Sequence, residues 1–160
     1  ARSRLENALE IIEDVDDRGL ESQCCCHLAA LEKRHGQPQA AREHAERALE
    51  IAKKAGLREA EADAYLTLGE VLSASLYDAD DAQTATTDAA VAYGKAIDVL
   101  KQIGNEAALG KALAAFGRYK AETGSLAAGK DMLRDAITLF SKLGLSRPAG
   151  DVEKLLATLS

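Results

Sequence analysis

The sequence has few of the residues that interrupt helices or fill a core with rings. Its 160 residues include no tryptophan, two phenylalanines, four tyrosines and two prolines. Because proline breaks helices while alanine and leucine favour them, this composition predicts an all-α protein. Its core then has to be built from alanine and leucine. Apolar residues make up 47% of the chain, which excludes a disordered protein and indicates a globular one.

An excess of positive charge is also lacking. The chain carries 20 Lys and Arg against 26 Asp and Glu, a net charge of −6. Phosphate binding needs clustered cations, so we expect no nucleic-acid partner. The acidic excess lies in residues 1–80, which hold 17 acidic and 10 basic residues. This acidity indicates either a solvated helix face or a surface for a basic partner.

Long apolar runs and paired cysteines are absent as well. No run approaches the roughly 20 residues that span a bilayer, so we expect no membrane partner. The three cysteines are consecutive, Cys24, Cys25 and Cys26, and neighbours in a helix cannot pair comfortably. Unpaired cysteines favour a reducing compartment, and the expected location is the cytoplasm. Without a starting methionine or a visible signal peptide, the chain is expected to be a fragment of a larger protein.

The strongest pattern in the sequence is an internal repeat. Three ladders of residues share the same successive spacings of 40, 48 and 40 positions. The first ladder is Ala8, Ala48, Ala96 and Ala136; the second is Leu28, Leu68, Phe116 and Leu156; the third is Ala1, Ala41, Ala89 and Gly129. One period of 40 residues, with one insertion of eight, accounts for all three.

Each period predicts two helices. Gly36 and Pro38 separate an amphipathic stretch that runs to about His35 from a second stretch that ends at Gly56. Glycine suits the end of a helix, and proline suits the first turn of the next one. Equivalent glycines that predict helix ends are Gly104, Gly124 and Gly144.

Small residues occupy the positions where the helices are expected to cross. Two helices approach to about 8 Å only where the side chains between them are small. The crossing positions are predicted at Ala29, Gly69, Gly117 and Ala157 on the first helices, facing Ala41, Ala48, Ala89, Ala96, Gly129 and Ala136 on the second. Each glycine costs about 1 kcal/mol of helix propensity relative to alanine, which close packing would offset.

The Leu-Gly or Leu-Ala pair, the turn glycine and the alanines that end in Ala-Leu-Glu-Ile resemble tetratricopeptide repeats. The resemblance covers essentially the whole chain, with a period of 40 residues rather than the usual 34 or so. This longer form is similar to arrays in bacterial signalling proteins and in Pins-type and kinesin-light-chain scaffolds. The aromatic residue expected after the Leu-Gly pair is replaced by Glu32, Leu72 and Lys120. The resemblance implies a right-handed superhelical α-solenoid of about eight helices in antiparallel pairs.

A single solenoid domain is expected over residues 1–160. It is predicted to contain the second helix of a partial repeat at 2–17, repeats at 19–55, 57–103 and 105–143, and a terminal helix at 148–159. The insertion at 77–84 falls between the two helices of the second complete repeat. It is interpreted as a tolerated surface loop, with a recognition loop or a helix extension as alternatives.

Residue patterns for catalysis, metals and cofactors are missing. The histidines His27, His35 and His44 have no Ser–Asp pattern beside them, and Cys25 has no evident base. Cys24 and His27 are three residues apart, but no second ligand pair follows at a zinc-like spacing. We therefore expect no enzyme activity, no metal and no cofactor.

Stacked helix pairs leave an extended concave face, so binding is the activity that this architecture supports. On each first helix, the residues opposite the core stripe are predicted to line that face. They are Gln23, Cys26, Ala30, Lys33 and Arg34 in the first repeat, Asp63, Leu66, Glu70 and Ser73 in the second, and Lys111, Ala114, Arg118 and Glu122 in the third. The mixture of charged and small residues predicts a peptide or protein segment with several polar anchors.

Three functions are carried as hypotheses. The first is a protein–protein interaction or scaffold module that forms the regulatory part of a multidomain signalling protein. The second is a ligand-sensing array, in which a small molecule or short peptide changes the superhelical curvature. The third is self-assembly into a homo-oligomer through the open ends of the solenoid. The repeat ladders and the missing catalytic patterns favour the first.

Overall fold

Seven α-helices make up the described part of the chain. The computed structural model describes residues 17–74 and 82–159, together with Ser3, Asn7 and Ile11, and for 82–87 it describes the backbone alone. The helices are α1 (Arg18–Arg34), α2 (Pro38–Lys54), α3 (Arg58–Ala74), α4 (Ala82–Ile103), α5 (Glu106–Glu122), α6 (Leu126–Lys142) and α7 (Ser146–Thr158). No strand occurs among the described residues, which confirms the predicted all-α class.

Two predicted segments lie wholly or partly outside the described residues. The helix predicted over 2–17 lies outside the described residues, apart from isolated positions. Residues 77–81 of the predicted insertion lie outside them as well, whereas 82–84 belong to the first turn of α4. Part of the insertion therefore extends a helix, which was one of the two local structures expected for it.

The chain divides into two compact units, residues 1–99 and residues 100–160. In the first unit, α1 packs against both α2 and α3, and α2 packs against α3. In the second unit, α6 packs against both α5 and α7. Turns of three residues join these neighbours, so successive helices run antiparallel. Each unit thus contains the packed helix pairs of a helical repeat protein.

Glycine ends the helices at the predicted positions. A positive φ is found at Gly36, Gly56, Gly104, Gly124 and Gly144. At Gly56 φ is 68°, a conformation that costs a residue with a Cβ atom free energy. The next amide, of Leu57, donates to the carbonyl of Ala52 at 2.9 Å and closes the end of α2. Pro38 stands in the first turn of α2, where its missing N–H does no harm.

The ladder alanines form the core of the helix pairs. Ala41, Ala48, Ala96 and Ala136 are all fully buried. At the predicted crossing on α3, a Cβ added to Gly69 would lie 2.9 Å from the ring of Tyr93 on α4. The absent side chain at Gly69 therefore makes room for an aromatic ring, which explains why a poor helix former stands there.

The predicted crossing at Ala157 is wrong, since this residue is exposed on α7. The buried residues of α7 are Ala149 and Val152, nearer the start of the helix. At the equivalent Ala29, the second helix of the same pair, α2, covers the residue. Among the described residues no second helix follows α7, so the face that carries Ala157 has no partner of that kind.

Candidate functional site

A groove runs between α1 and α3, the first helices of two successive repeats, and has a volume of about 760 Å³. We call it the α1–α3 groove. Six of the residues predicted to face a partner line it: Gln23, Cys26, Ala30, Asp63, Leu66 and Glu70. Three come from each helix, at helical spacings of three and four residues. The structure therefore brings together residues that lie about 40 positions apart in the sequence.

Lys33 and Glu70 form an ion pair that links the two helices. The Lys33 ammonium donates to Glu70 Oε2 at 3.2 Å. The Lys33 side chain is 26% exposed and that of Glu70 is 36% exposed, so solvent screens the pair and its contribution to stability is small. Its main structural consequence is that it links α1 to α3 beside the groove.

The other predicted residues lie apart from this lining. Arg34 is exposed at the last position of α1. Ser73 is half-buried; its hydroxyl donates to the Glu70 carbonyl at 3.0 Å and lies 3.3 Å from the hydroxyl of Tyr93. These contacts hold Ser73 between α3 and α4, away from the groove.

The residues predicted from the third repeat lie on α5, in the second unit. Lys111, Arg118 and Glu122 are exposed there, and Ala114 is half-buried. Arg118 Nε lies 4.0 Å from Glu122 Oε1, an exposed pair one helical turn apart. Their role in binding stays a prediction.

Sequence reasoning missed the end of the groove that the first turns of the helices form. Gly19 and Ser22 contribute from α1, and residues 56–60 contribute from the turn before α3 and from its first residues. The signal was present, because these positions continue the stripe of Gln23 and Asp63 by one turn towards the helix starts. Ser22 is almost fully buried, and its hydroxyl donates to the Ala48 carbonyl at 3.0 Å, so its packing onto α2 is defined as well.

Cys26 places a thiol in the groove. Burial raises the pKa of Cys26 to about 11, with a further rise from the charge of Asp63 and an opposing hydrogen bond from Thr67. Burial likewise raises the pKa of Cys25 to about 11 and raises that of Cys24. Since the thiolate is the nucleophile, the raised pKa values lower the reactivity of these thiols at neutral pH. None of the three cysteines forms a disulfide.

The charged side chains that line the groove are Arg58, Glu59, Asp63 and Glu70, with His27 beside them. The Arg58 guanidinium is held at 2.6 Å from Glu61 Oε2, a carboxylate that is nearly buried on α3. Leu57 and Leu66 supply apolar surface along the same lining. The groove therefore offers polar anchors and apolar contacts together.

Within the described residues, no group of three or more His, Cys, Asp or Glu side chains is arranged to hold a metal ion. No helix there combines the length and the hydropathy that crossing a bilayer requires.

Comparison with known proteins agrees with this architecture. Residues 1–54 match the family model for the tetratricopeptide repeat, which confirms the predicted resemblance over that segment. Among solved structures, the crystal structure of BtubC (BKLC) from P. vanneervenii is similar, with a TM-score of 0.69 and 17% sequence identity. The similarity covers 99% of this chain and 71% of that one and shows a shared fold. No curated protein matches the sequence.

Tetratricopeptide repeats generally mediate protein–protein interactions and scaffolding, and the family is typically non-catalytic.

Proposed function

We propose that this chain is a non-catalytic interaction module that binds a peptide or protein segment in the α1–α3 groove. One observation carries the proposal. Six residues chosen from helical periodicity alone line a single groove of about 760 Å³, within the range of roughly 300–1,000 Å³ that is usual for binding sites.

The lining suits a segment of polypeptide. Ala30 and Ala60 are small and let a backbone approach the helices closely. Gln23 and Asp63 are exposed and can hydrogen-bond to that backbone or to its polar side chains. Leu66 is half-buried and offers an apolar contact between them. Such alternation of small, polar and apolar residues gives specificity without any catalytic group.

The wider role follows from the same features. An interaction module that contributes no catalysis serves as the regulatory or scaffold part of a multidomain signalling protein. Cysteines that form no disulfide fit a reducing compartment, and we assign the module to the cytoplasm.

Site-specific photocrosslinking tests the groove directly. A photoreactive benzoylphenylalanine at Gln23, which lies exposed in the groove, should capture the partner, and mass spectrometry should identify the adduct. The same group at Glu43, exposed on α2 outside the groove, serves as the control. Capture of the same partner with equal yield from Glu43 would contradict the assignment of the groove.

A blocking substitution provides the second test. Ala30→Trp should fill the groove and weaken binding of the captured partner about tenfold or more, with little change in the melting temperature. Ala128→Trp, at an exposed position of α6, is the matched control. Reversing the charges of Lys33 and Arg34 tests whether the binding face extends beyond the lining of the groove. Partner binding that survives Ala30→Trp unchanged would sink the proposal.

A small ligand in the same groove is the second candidate function. The volume of about 760 Å³ is large enough to enclose a metabolite, which would make the chain a ligand-sensing array. Thermal shift against a metabolite panel separates the two functions, because a ligand at 100 times its Kd stabilises the folded state by about 2.7 kcal/mol. A large shift that Ala30→Trp abolishes would favour the small ligand.

A further inference from the structure

A second groove lies between α2 and α4, with a volume of about 220 Å³. We call it the α2–α4 groove. At one end of it, two lysines from different helices each lie over the same aromatic ring. Nζ of Lys53 on α2 lies 5.0 Å from the ring centroid of Tyr65, and Nζ of Lys95 on α4 lies 5.5 Å from it. Tyr65 belongs to α3 and is 6% exposed, so the ring is the base of the site and the two ammonium groups are its rim.

The carboxylates of this groove gather at its other end, around Arg42. Arg42 Nε donates to Glu46 Oε1 at 2.7 Å. That hydrogen bond raises the pKa of Arg42, and the charges of Glu46 and Asp88 add to the rise. Glu46 and Asp88, the two acidic residues of the lining, therefore both interact with Arg42. Among the described residues, neither Lys53 nor Lys95 forms an ion pair.

Two like charges that share one ring repel each other. Each gains from the ring quadrupole, but the gain at exposed positions is small. An anion placed between the two ammonium groups would interact favourably with both and remove the repulsion. The lysine pair is therefore complementary to a carboxylate or another small anion.

The surface beside the lysines is apolar. Val91 of α4 is 49% exposed within the groove, next to Leu49 and Leu68. A bare inorganic anion would pair with the lysines and leave Val91 in water. A protein segment with an acidic residue next to an apolar one would satisfy both features.

We propose that the α2–α4 groove binds an acidic segment of a partner protein. An Asp or Glu carboxylate of that segment lies between Lys53 and Lys95 over Tyr65, and an adjacent apolar side chain covers Val91. Its two lysines stand on α2 and α4, it shares no lining residue with the α1–α3 groove, and it takes a ligand of defined charge. It therefore does not depend on the occupant of that groove.

The test uses the full chain and an immobilised set of short peptides. Each probe peptide carries a central Glu-Leu or Asp-Leu pair among Gly, Ser and Ala, and its twin carries Gln-Leu or Asn-Leu. The wild-type chain should bind the acidic peptides about tenfold more tightly than their amide twins, and added salt should reduce the difference. Lys53→Gln with Lys95→Gln should abolish the preference.

A matched control removes the same charge from the same two helices. Lys54 and Lys101 are exposed in the last turns of α2 and α4, and neither lines the groove. Lys54→Gln with Lys101→Gln should keep the preference. Val91→Ser should weaken binding of the acidic peptides without a change in charge, and circular dichroism melting curves verify that every variant is folded.

Several results would overturn the proposal. They are equal binding of the amide twins, an unchanged preference in the Lys53 and Lys95 double variant, an equal loss in the control, and no peptide binding at all. Inorganic phosphate that binds through the two lysines while no acidic peptide does would identify a simple anion site, and the acidic-segment proposal would be wrong.

Discussion

Gly117 of α5 and Gly129 of α6 approach so closely that the carbonyl oxygen of each leaves no room for a Cβ atom on the other. A Cβ built on Gly117 would lie 2.8 Å from the Gly129 oxygen, and one built on Gly129 would lie 2.5 Å from the Gly117 oxygen. Cβ atoms in proteins essentially never lie within 3.0 Å of another heavy atom in this way, so the two backbones are in direct contact. Gly129 belongs to a repeat ladder, Gly117 follows the ladder residue Phe116, and both were predicted at a helix crossing.

Gly129→Ala should therefore destabilise the chain, although alanine is the better helix former. The new methyl group meets backbone rather than a movable side chain, and overpacking of this kind costs about 1–3 kcal/mol. Gly150→Ala on α7 is the control, because a Cβ there meets nothing within 4 Å; it should stabilise by about 0.5–1 kcal/mol. Urea denaturation measures both changes, and equal stabilisation by the two would contradict the close approach.

Ala48→Phe should overpack the crossing between α1 and α2. Ala48 is fully buried against Cys24, Cys25 and Leu28, so a ring there must displace them at a cost of about 1–3 kcal/mol. Glu50→Phe, two residues along the same helix and largely exposed, should change the stability by no more than about 0.5 kcal/mol. A melting curve that Ala48→Phe leaves unchanged would show that this register is wrong.

The side chain of Glu21 is nearly buried and forms ion pairs with arginines from two helices. Arg18 Nη1 lies 2.9 Å from its Oε2, and Arg47 Nη2 of α2 lies 3.1 Å from its Oε1. Arg47→Met should cost about 1–3 kcal/mol, because it weakens the compensation of a buried carboxylate. The exposed pair of Arg134 and Asp131 is the comparison, and Arg134→Met should cost less than about 1 kcal/mol. Similar losses at both sites would refute a special role for burial.

Alkaline pH should destabilise the fold through its buried thiols. In the folded chain the pKa of Cys25 is raised from 9.0 to about 11, because burial disfavours the thiolate. Below pH 9 the thiol is protonated whether the chain is folded or unfolded, and its stabilising contribution is fully present. As pH rises from 9 to 11 the unfolded chain loses the proton first, so the free energy of unfolding falls.

Denaturation curves across this pH range, for the wild type and for Cys25→Ala, check the thiol effect. Lysines and tyrosines titrate in both proteins, so the difference between the two curves isolates the thiol. The variant should lose less stability between pH 9 and 11 than the wild type. Parallel curves would mean that Cys25 ionises as readily in the fold as outside it.

Most of the fold could be predicted from the repeat ladders. Ala48, Ala96 and Ala136 recur at spacings of 48 and 40 positions and are all fully buried, because a helix crossing tolerates only a small side chain at that point. The glycines at Gly56 and Gly104 have the positive φ that helix ends need. Such features depend on the size of a residue and on its backbone freedom, and both follow from the residue type alone.

Pairings between helices were less accessible from the sequence. Glu21 meets Arg47 at a separation of 26 residues, and Lys33 meets Glu70 at 37, with nothing in the local pattern to select these partners. Glu32 is a stronger case, since a carboxylate stands where the repeat is expected to carry an aromatic residue and is fully buried on α1, although glutamate is rarely buried. To predict such partners, one must know how neighbouring helices are rotated about their axes and how far apart they lie. The residue pattern of a single sequence does not give these two quantities.

The three consecutive thiols give the first unit a set of chemical probes at three depths. Each step along α1 turns the side chain by about 100°, so Cys25 faces the packed interior, Cys26 faces the α1–α3 groove, and Cys24 lies at the margin of the core. A thiol reagent that labels Cys26 reports on occupancy of the groove. Labelling of Cys25 requires α1 to separate from its neighbours, so its rate measures transient local opening without any engineered reporter.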